Sequence, residues 1–319
     1  MQSSFWLGPH ARLVGMAVLW GASWPAGRVI AQAMPPLAGS ALRFVLAAMV
    51  LLPWMYRSGA FAQLRHWPRQ RWLGMVLGAT VGVFGYAACF LSGLQHIPAG
   101  KAALIITLNP VFTLALAVWL FQERINRVIG LGMALAVVGA VIVISHGDPL
   151  SLLAGQLGVG ELFILGCVAC WVGFTLLGRW MLTGVDALST TTITSCFGAL
   201  MLLVASLVLE GPQALPSALQ AGWQAWAALA FLSLVATALA YAWYFDGVKA
   251  LGAGAASGYI TLVPVFGVIF SALLLGEKID ASMLLGGALA VVGTAVMNRG
   301  RLPAAVPPVA SAAKAGSAA

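Results

Sequence analysis

The stretch Ala134-Leu135-Ala136-Val137-Val138-Gly139 returns unchanged as Ala288-Leu289-Ala290-Val291-Val292-Gly293, 154 residues later. Outward from it, Pro110-Val111-Phe112 returns as Pro264-Val265-Phe266 at the same offset, and Glu123-Arg124-Ile125 as Glu277-Lys278-Ile279. Gly93, Ala99, Gly100, Ile106 and Thr107 map onto Gly247, Ala253, Gly254, Ile260 and Thr261 in the same way. One matching apolar hexamer would be weak evidence, because apolar helices share composition. Four segments in constant register are not. Nearer the N-terminus, Trp20 and Gly27-Arg28 match Trp171 and Gly178-Arg179 at an offset of 151, so about three residues separate the two registers. The chain is two copies of one unit.

Composition says where those copies reside. Of 319 residues, 61% are hydrophobic and 8% charged. Soluble domains carry about 25% charged residues, so most of this chain belongs in lipid. Apolar runs of roughly 20 residues recur between short polar or Gly/Pro-rich breaks, the length of a membrane-spanning helix. A membrane β-barrel would alternate over about 10 residues instead. The net charge of +8 does not imply nucleic acid, because the basic residues cluster in short loops. Cys89, Cys167, Cys170 and Cys196 all lie within apolar runs, where they read as packing residues. Ala31-Gln32-Ala33 imitates a signal-peptide cleavage site, but the run before it is long enough to span and its features recur in the second copy. The first helix is kept.

The apolar runs predict helices over 12–32, 37–57, 72–93, 99–121 and 127–145, then 158–180, 185–209, 223–245, 252–275 and 282–299. The expected organisation is a first five-helix repeat in 1–146, a second in 157–299, and a disordered cytoplasmic tail over 300–319. With the N-terminus inside, the inner loops collect Arg12, Arg57, Arg65, Arg69, Arg71, Arg124, Arg127, Arg179, Lys249, Arg299, Arg301 and Lys314. The outer side keeps Arg28, Lys101 and Lys278, and Arg43 lies within the second helix. Both termini are therefore expected in the cytoplasm. Five helices per copy then turns the second copy upside down, the arrangement that supports alternating access.

Several motifs resemble those of the EamA-type members of the drug/metabolite transporter superfamily. They are Leu19-Trp20-Gly21-Ala22-Ser23, Leu42-Arg43-Phe44, Asn109-Pro110-Val111-Phe112 leading to Glu123-Arg124, and Val263-Pro264-Val265-Phe266 leading to Glu277-Lys278. The resemblance covers roughly 12–299. It implies ten helices, a central cavity between the copies, and export or exchange of small metabolites.

Candidate site residues are polar or aromatic groups at membrane depth, where an unpaired polar group is costly. Trp20, Ser23, Trp24 and Gly27 form one stripe, with Pro25 on the same helix favouring a kink; Trp171, Thr175 and Gly178 are the counterpart. Such stripes suit a cavity wall, or aromatic rings packed between helices. Tyr86 and Phe90 share a face of the third helix and Tyr241 and Tyr244 a face of the eighth, for substrate contact or interhelical hydrogen bonds. Pro110 and Pro264 each free a carbonyl one turn earlier, as gating elements would. Asn109 is the strongest polar candidate on the fourth helix and is Val263 in the second copy. Thr107 and Thr261 are placed to bond back to their own helices. Glu123 and Glu277, at helix ends beside cations, read as interfacial ion pairs or gates, and neither demonstrates proton coupling. Arg43 can meet an anionic solute group, snorkel, or pair with Glu161 or a carbonyl. Lys101 lies at the outer start of the fourth helix, where the family's cavity would open, or is simply solvated there; His96 reads as a loop-edge residue.

No H-E-x-x-H, G-x-S-x-G or paired intramembrane aspartates occur, so no catalytic residues, metal site or cofactor are expected, and an intramembrane enzyme is the remote alternative. The expected partners are a small-molecule substrate and the lipid bilayer, without nucleic acid, for a monomer or homodimer in a bacterial inner membrane. Amino acids or their derivatives are the expected solutes; lipophilic cations resting against Trp20, Trp24, Trp171 or Tyr241 are the alternative.

Overall fold

The computed structural model describes residues 8–122, 125–153, 155, 157–181, 185–251 and 253–300. Glu123 and the tail from 301 onward lie outside them, and of Tyr241 only the helical backbone is described. The described residues are helical, without strands, and ten helices are long and apolar enough to cross a membrane. In the first copy these are α1 Pro9–Ala33, α2 Pro36–Arg57, α3 Arg69–His96, α4 Ala99–Phe121 and α5 Arg127–Ile144. The second copy gives α6 Val159–Gly178, α7 Leu188–Glu210, α8 Trp223–Val248, α9 Gly258–Leu275 and α10 Ala281–Gly300. Every predicted span is present to within a few residues.

Local chemistry sets the ends. Pro9 and Pro36 open α1 and α2, where the missing N–H is not needed. Asn126 and Asp280 cap α5 and α10, accepting from the amides of Ile129 and Met283 at 2.9 and 2.8 Å. α4 and α9 end alike, in a left-handed residue at equivalent positions: Gln122 at φ 55 and Gly276 at φ 65. Only Gly adopts that conformation without steric cost.

Contacts between the copies show their relative direction. A Cβ on Gly132 would strike the backbone of Met297 and Gly293, and one on Gly139 the backbone of Ala290 and Gly286. Early α5 thus meets late α10, and late α5 meets early α10. The pairs Gly132–Gly293 and Gly139–Gly286 interchange under the repeat offset, so the contact is isologous and antiparallel. The end of α7 likewise meets the start of α2, through Glu210. Two sets of equivalent helices run in opposite directions, which makes the repeat an inverted one.

The first helix of each copy packs into the other. α1 lies against α8 and α9, and α6 against α3 and α4. Here too the details interchange: Leu13 fills the space beside Gly247 as Ile164 fills that beside Gly93. α1 also touches α3 and α4 of its own copy, which sets it deep in the bundle. For orientation, the face carrying Pro9 and Gly300 is called the N-terminal face. The opposite one, carrying Ser145 at the end of α5 and Val159 at the start of α6, is the connector face.

Candidate functional site

At mid-depth the predicted aromatic residues form a seam between the copies. The Trp20 and Tyr244 rings lie 5.7 Å apart, and Trp24 meets Phe90 edge-on at 5.2 Å. Phe90 stacks with Tyr86 at 6.0 Å, and Tyr86 meets Trp171 at 6.0 Å. Trp24 and Phe90 are buried, whereas Trp20, Ser23, Tyr86, Trp171 and Tyr244 are half-buried and Thr175 is exposed. The hydroxyls of Ser23 and Thr175 donate to their own helix, to the carbonyls of Trp20 at 2.5 Å and Trp171 at 2.8 Å. The Arg43 guanidinium lies 5.0 Å from the Phe44 ring centre and 5.9 Å from that of Phe90, so a positive charge borders the seam.

The helices along this seam are irregular. α3 widens to π-helix over Ala79–Gly85 and α8 over Phe231–Leu239, segments that share their C-terminal end under the repeat, Gly85 mapping onto Leu239. A wide turn displaces carbonyls from the ordinary ladder and is frequent at functional sites. One is used at once: the Trp20 indole N–H donates to the Ala236 carbonyl at 3.0 Å. The Thr237 hydroxyl donates to Leu232, five residues back, at 2.8 Å.

Pro110 and Pro264 act as breaks, as the sequence predicts. α4 tightens to a 3-10 turn over Ile106–Leu108 before restarting at Asn109, and α9 restarts at Val263 after a turn at Thr261–Leu262. Thr107 and Thr261 donate back to the carbonyls of Leu104 and Gly258, at 2.6 and 2.7 Å. Asn109 is buried at this break, and its Oδ1 has no hydrogen-bond partner among the described residues.

The charged residues at the connector face depart furthest from expectation. Lys101, expected at the solvated outer start of the fourth helix, is 2% exposed. Its ammonium meets Glu161 Oε1 at 2.5 Å, so the partner of Glu161 is Lys101 of α4. The reason is geometric: Lys101 is the third residue of α4, within its first turn, and its ammonium reaches the end of α5 at Ile144 and the start of α6 at Glu161. Glu277 does pair at an interface, but with Arg28 at 3.6 Å rather than with its sequence neighbours, and it accepts from the amides of Ala99 and Gly100 at 2.8 and 3.0 Å. Arg28, expected at the outer surface, donates to the Leu94 and Ile97 carbonyls. His96 stacks on Phe163. It also lines a recess of about 420 Å³ with Ile97, Lys101, His146 and Glu161.

Glu210 escaped the sequence reading altogether. Its two oxygens accept from the amides of Leu37 and Ala38 at 2.7 and 2.9 Å, placing a carboxylate of one copy on a helix start of the other. The available signal was shared with Glu277: an acid closing an apolar run, facing a helix that begins after Pro. No group of His, Cys, Asp and Glu suited to a metal ion occurs among the described residues.

Two inverted five-helix copies interlocked along an aromatic, proline-broken seam define a membrane transporter of the inverted-repeat class. The chain belongs to the EamA-like transporter family, whose model matches residues 11–145 and 158–299. It is 30% identical over 284 residues to the "uncharacterized transporter YyaM" of Bacillus subtilis, covering 89% of this chain and 91% of that one. It is 26% identical over 285 residues to a "probable amino-acid metabolite efflux pump" of Salmonella typhimurium, covering 87% and 90%. A solved crystal structure, 18% identical, shares the fold with a TM-score of 0.63 over 89% of this chain and 95% of that one.

Proposed function

We propose that this chain exports or exchanges an amino acid or amino-acid derivative across a bacterial inner membrane by alternating access, with both termini in the cytoplasm. The antiparallel pairing of α5 with α10 carries the reading, because inverted copies exchange conformations to expose one site to either side in turn. α1 is surrounded by α3, α4, α8 and α9, so the accessible surface left on Trp20 and Ser23 is read as facing the bundle interior. There Trp20, Tyr86, Trp171 and Tyr244 offer π surface, and the buried, unpartnered Oδ1 of Asn109 at the α4 break is assigned as an acceptor for a solute N–H once that break opens. The similarity to the Salmonella efflux pump supports the solute class. Arg43 beside Phe90 disfavours the lipophilic-cation alternative, since it puts a positive charge next to the rings such a cation would need.

The halves rock about the seam, with the breaks at Pro110 and Pro264 and the contacts of Glu277 as gating elements. Glu123, outside the described residues, is assigned the matching role from the repeat. Counterflow in proteoliposomes tests the proposal, using labelled amino acids competed against a panel of small metabolites. Trp20→Ala and Trp171→Ala are expected to abolish counterflow while folded protein remains. Unchanged transport in both variants would remove the seam as the binding site.

A further inference from the structure

The buried pair at the connector face has a third member. The Lys101 ammonium has three N–H donors and no acceptor, and three acceptors surround it. They are Glu161 Oε1 at 2.5 Å, His146 Nε2 at 2.8 Å and the Ile144 carbonyl at 3.3 Å. Its donors are thus all used, which leaves none for an anion in the adjoining recess. The same count sets the imidazole. Because the ammonium can only donate, His146 accepts at Nε2 and carries its proton on Nδ1. Nδ1 lies 3.7 Å from Asp280 Oδ2 at the start of α10. The His146 side chain is 65% exposed where that of Lys101 is 2%, so a water-accessible neutral ring lies over a buried ion pair.

Imidazole is the side chain that ordinarily gains a proton between pH 8 and 5. With two protons it donates at both nitrogens and accepts at neither. Nε2 would then present an N–H and a positive charge to the ammonium, and the closed arrangement could not persist. We propose that His146 is a proton-operated catch on the connector face. Neutral, it closes over the Lys101–Glu161 pair; protonated, it releases Lys101, turns to Asp280, and favours the form in which α4 and α6 part at this face.

The other groups facing the cluster agree in sign. The Ser282 hydroxyl, helped by the Met283 amide, holds the Asp280 carboxyl below the usual carboxylate range, so it remains an anion where imidazoles protonate. His96, from α3, lines the same recess and adds positive charge there when protonated. Glu161 stays the counter-charge of Lys101. Glu277 is engaged by two amides and Arg28 at the start of α4. Asp148 is turned onto its own loop, accepting from Leu150. The open form therefore binds the additional proton, so acid favours it and alkali favours the closed form. The repeat leaves the device on one face only. The positions equivalent to Lys101, His146 and Glu161 are Ala255, Gly300 and His10.

This inference rests on reading the connector face as a gate, and local hydrogen exchange of the full chain in nanodiscs tests it without transport. After correction for intrinsic rates, exchange in 97–104 and 158–164 should rise from about pH 8 to about pH 5.5, the range in which an imidazole ordinarily gains its proton. His146→Gln keeps an acceptor that cannot take the proton, and should flatten the profile at the protected level. Lys101→Met/Glu161→Gln, which removes both charges at similar volume, should flatten it too. A flat wild-type profile overturns the inference, as does an equal rise in His146→Gln. Failure of counterflow with the pH response intact would strike the transport reading alone.

Discussion

At the connector face the copies meet through buried Lys101 and Glu161 and through the carboxylates of Glu277 and Glu210, each on the amides of a helix start in the other copy. At the N-terminal face the described contacts include Arg12–Asp246 at 3.0 Å, with Asp246 half exposed, His10–Tyr259 at 2.5 Å, and the Asn126 side-chain amide donating to the Gly300 carbonyl at 2.7 Å. These faces are related by the repeat, so their helix ends are similar, while the polar contacts among their described residues differ. Charges bonded to backbone amides and shielded from water hold geometry, and complement the positive end of a helix. An exposed ion pair is worth about 0–1 kcal/mol. The difference teaches that an inverted repeat supplies two similar faces, and that the side chains in which the copies differ, such as Lys101 against Ala255 and Glu161 against His10, set them apart.

Substitutions can break that contrast. The largest effect is expected for Lys101→Met, which strands Glu161 as a buried charge and should cost about 3–5 kcal/mol. Thermal unfolding of purified protein in detergent should show the loss, and adding Glu161→Leu should restore most of it. Glu277→Ala removes a charged acceptor from two amides and from Arg28, for about 1–3 kcal/mol by the same measurement. Asp246→Asn, at the opposite face, should stay within about 1 kcal/mol. If Asp246→Asn proved as damaging as Glu277→Ala, the proposed inequality of the faces would be wrong.

The ten spans were legible because lipid demands long apolar runs, and the breaks at Pro110 and Pro264 because proline acts on its own backbone. The aromatic contacts were partly legible: helical spacing aligned Trp20 with Trp24 and Tyr86 with Phe90, but only packing joined Tyr86 to Trp171. Lys101 was not legible. Its place at the outer start of the fourth helix suggested a solvated surface position, and its burial depends on how α5 and α6 close over α4. The π-helical turns in α3 and α8 left no signal either, since their residues suit an ordinary helix and the wide turn answers to neighbours such as the Trp20 indole.

The glycine contact between α5 and α10 has a consequence for a chain severed in its connector. Each half bears a surface complementary to its own copy turned over, since Gly132 faces Gly293 as Gly286 faces Gly139. Separately expressed halves would face a choice between rejoining and like-with-like pairing. Joining them in one polypeptide removes that competition and gives every molecule one partner, already in the opposite sense.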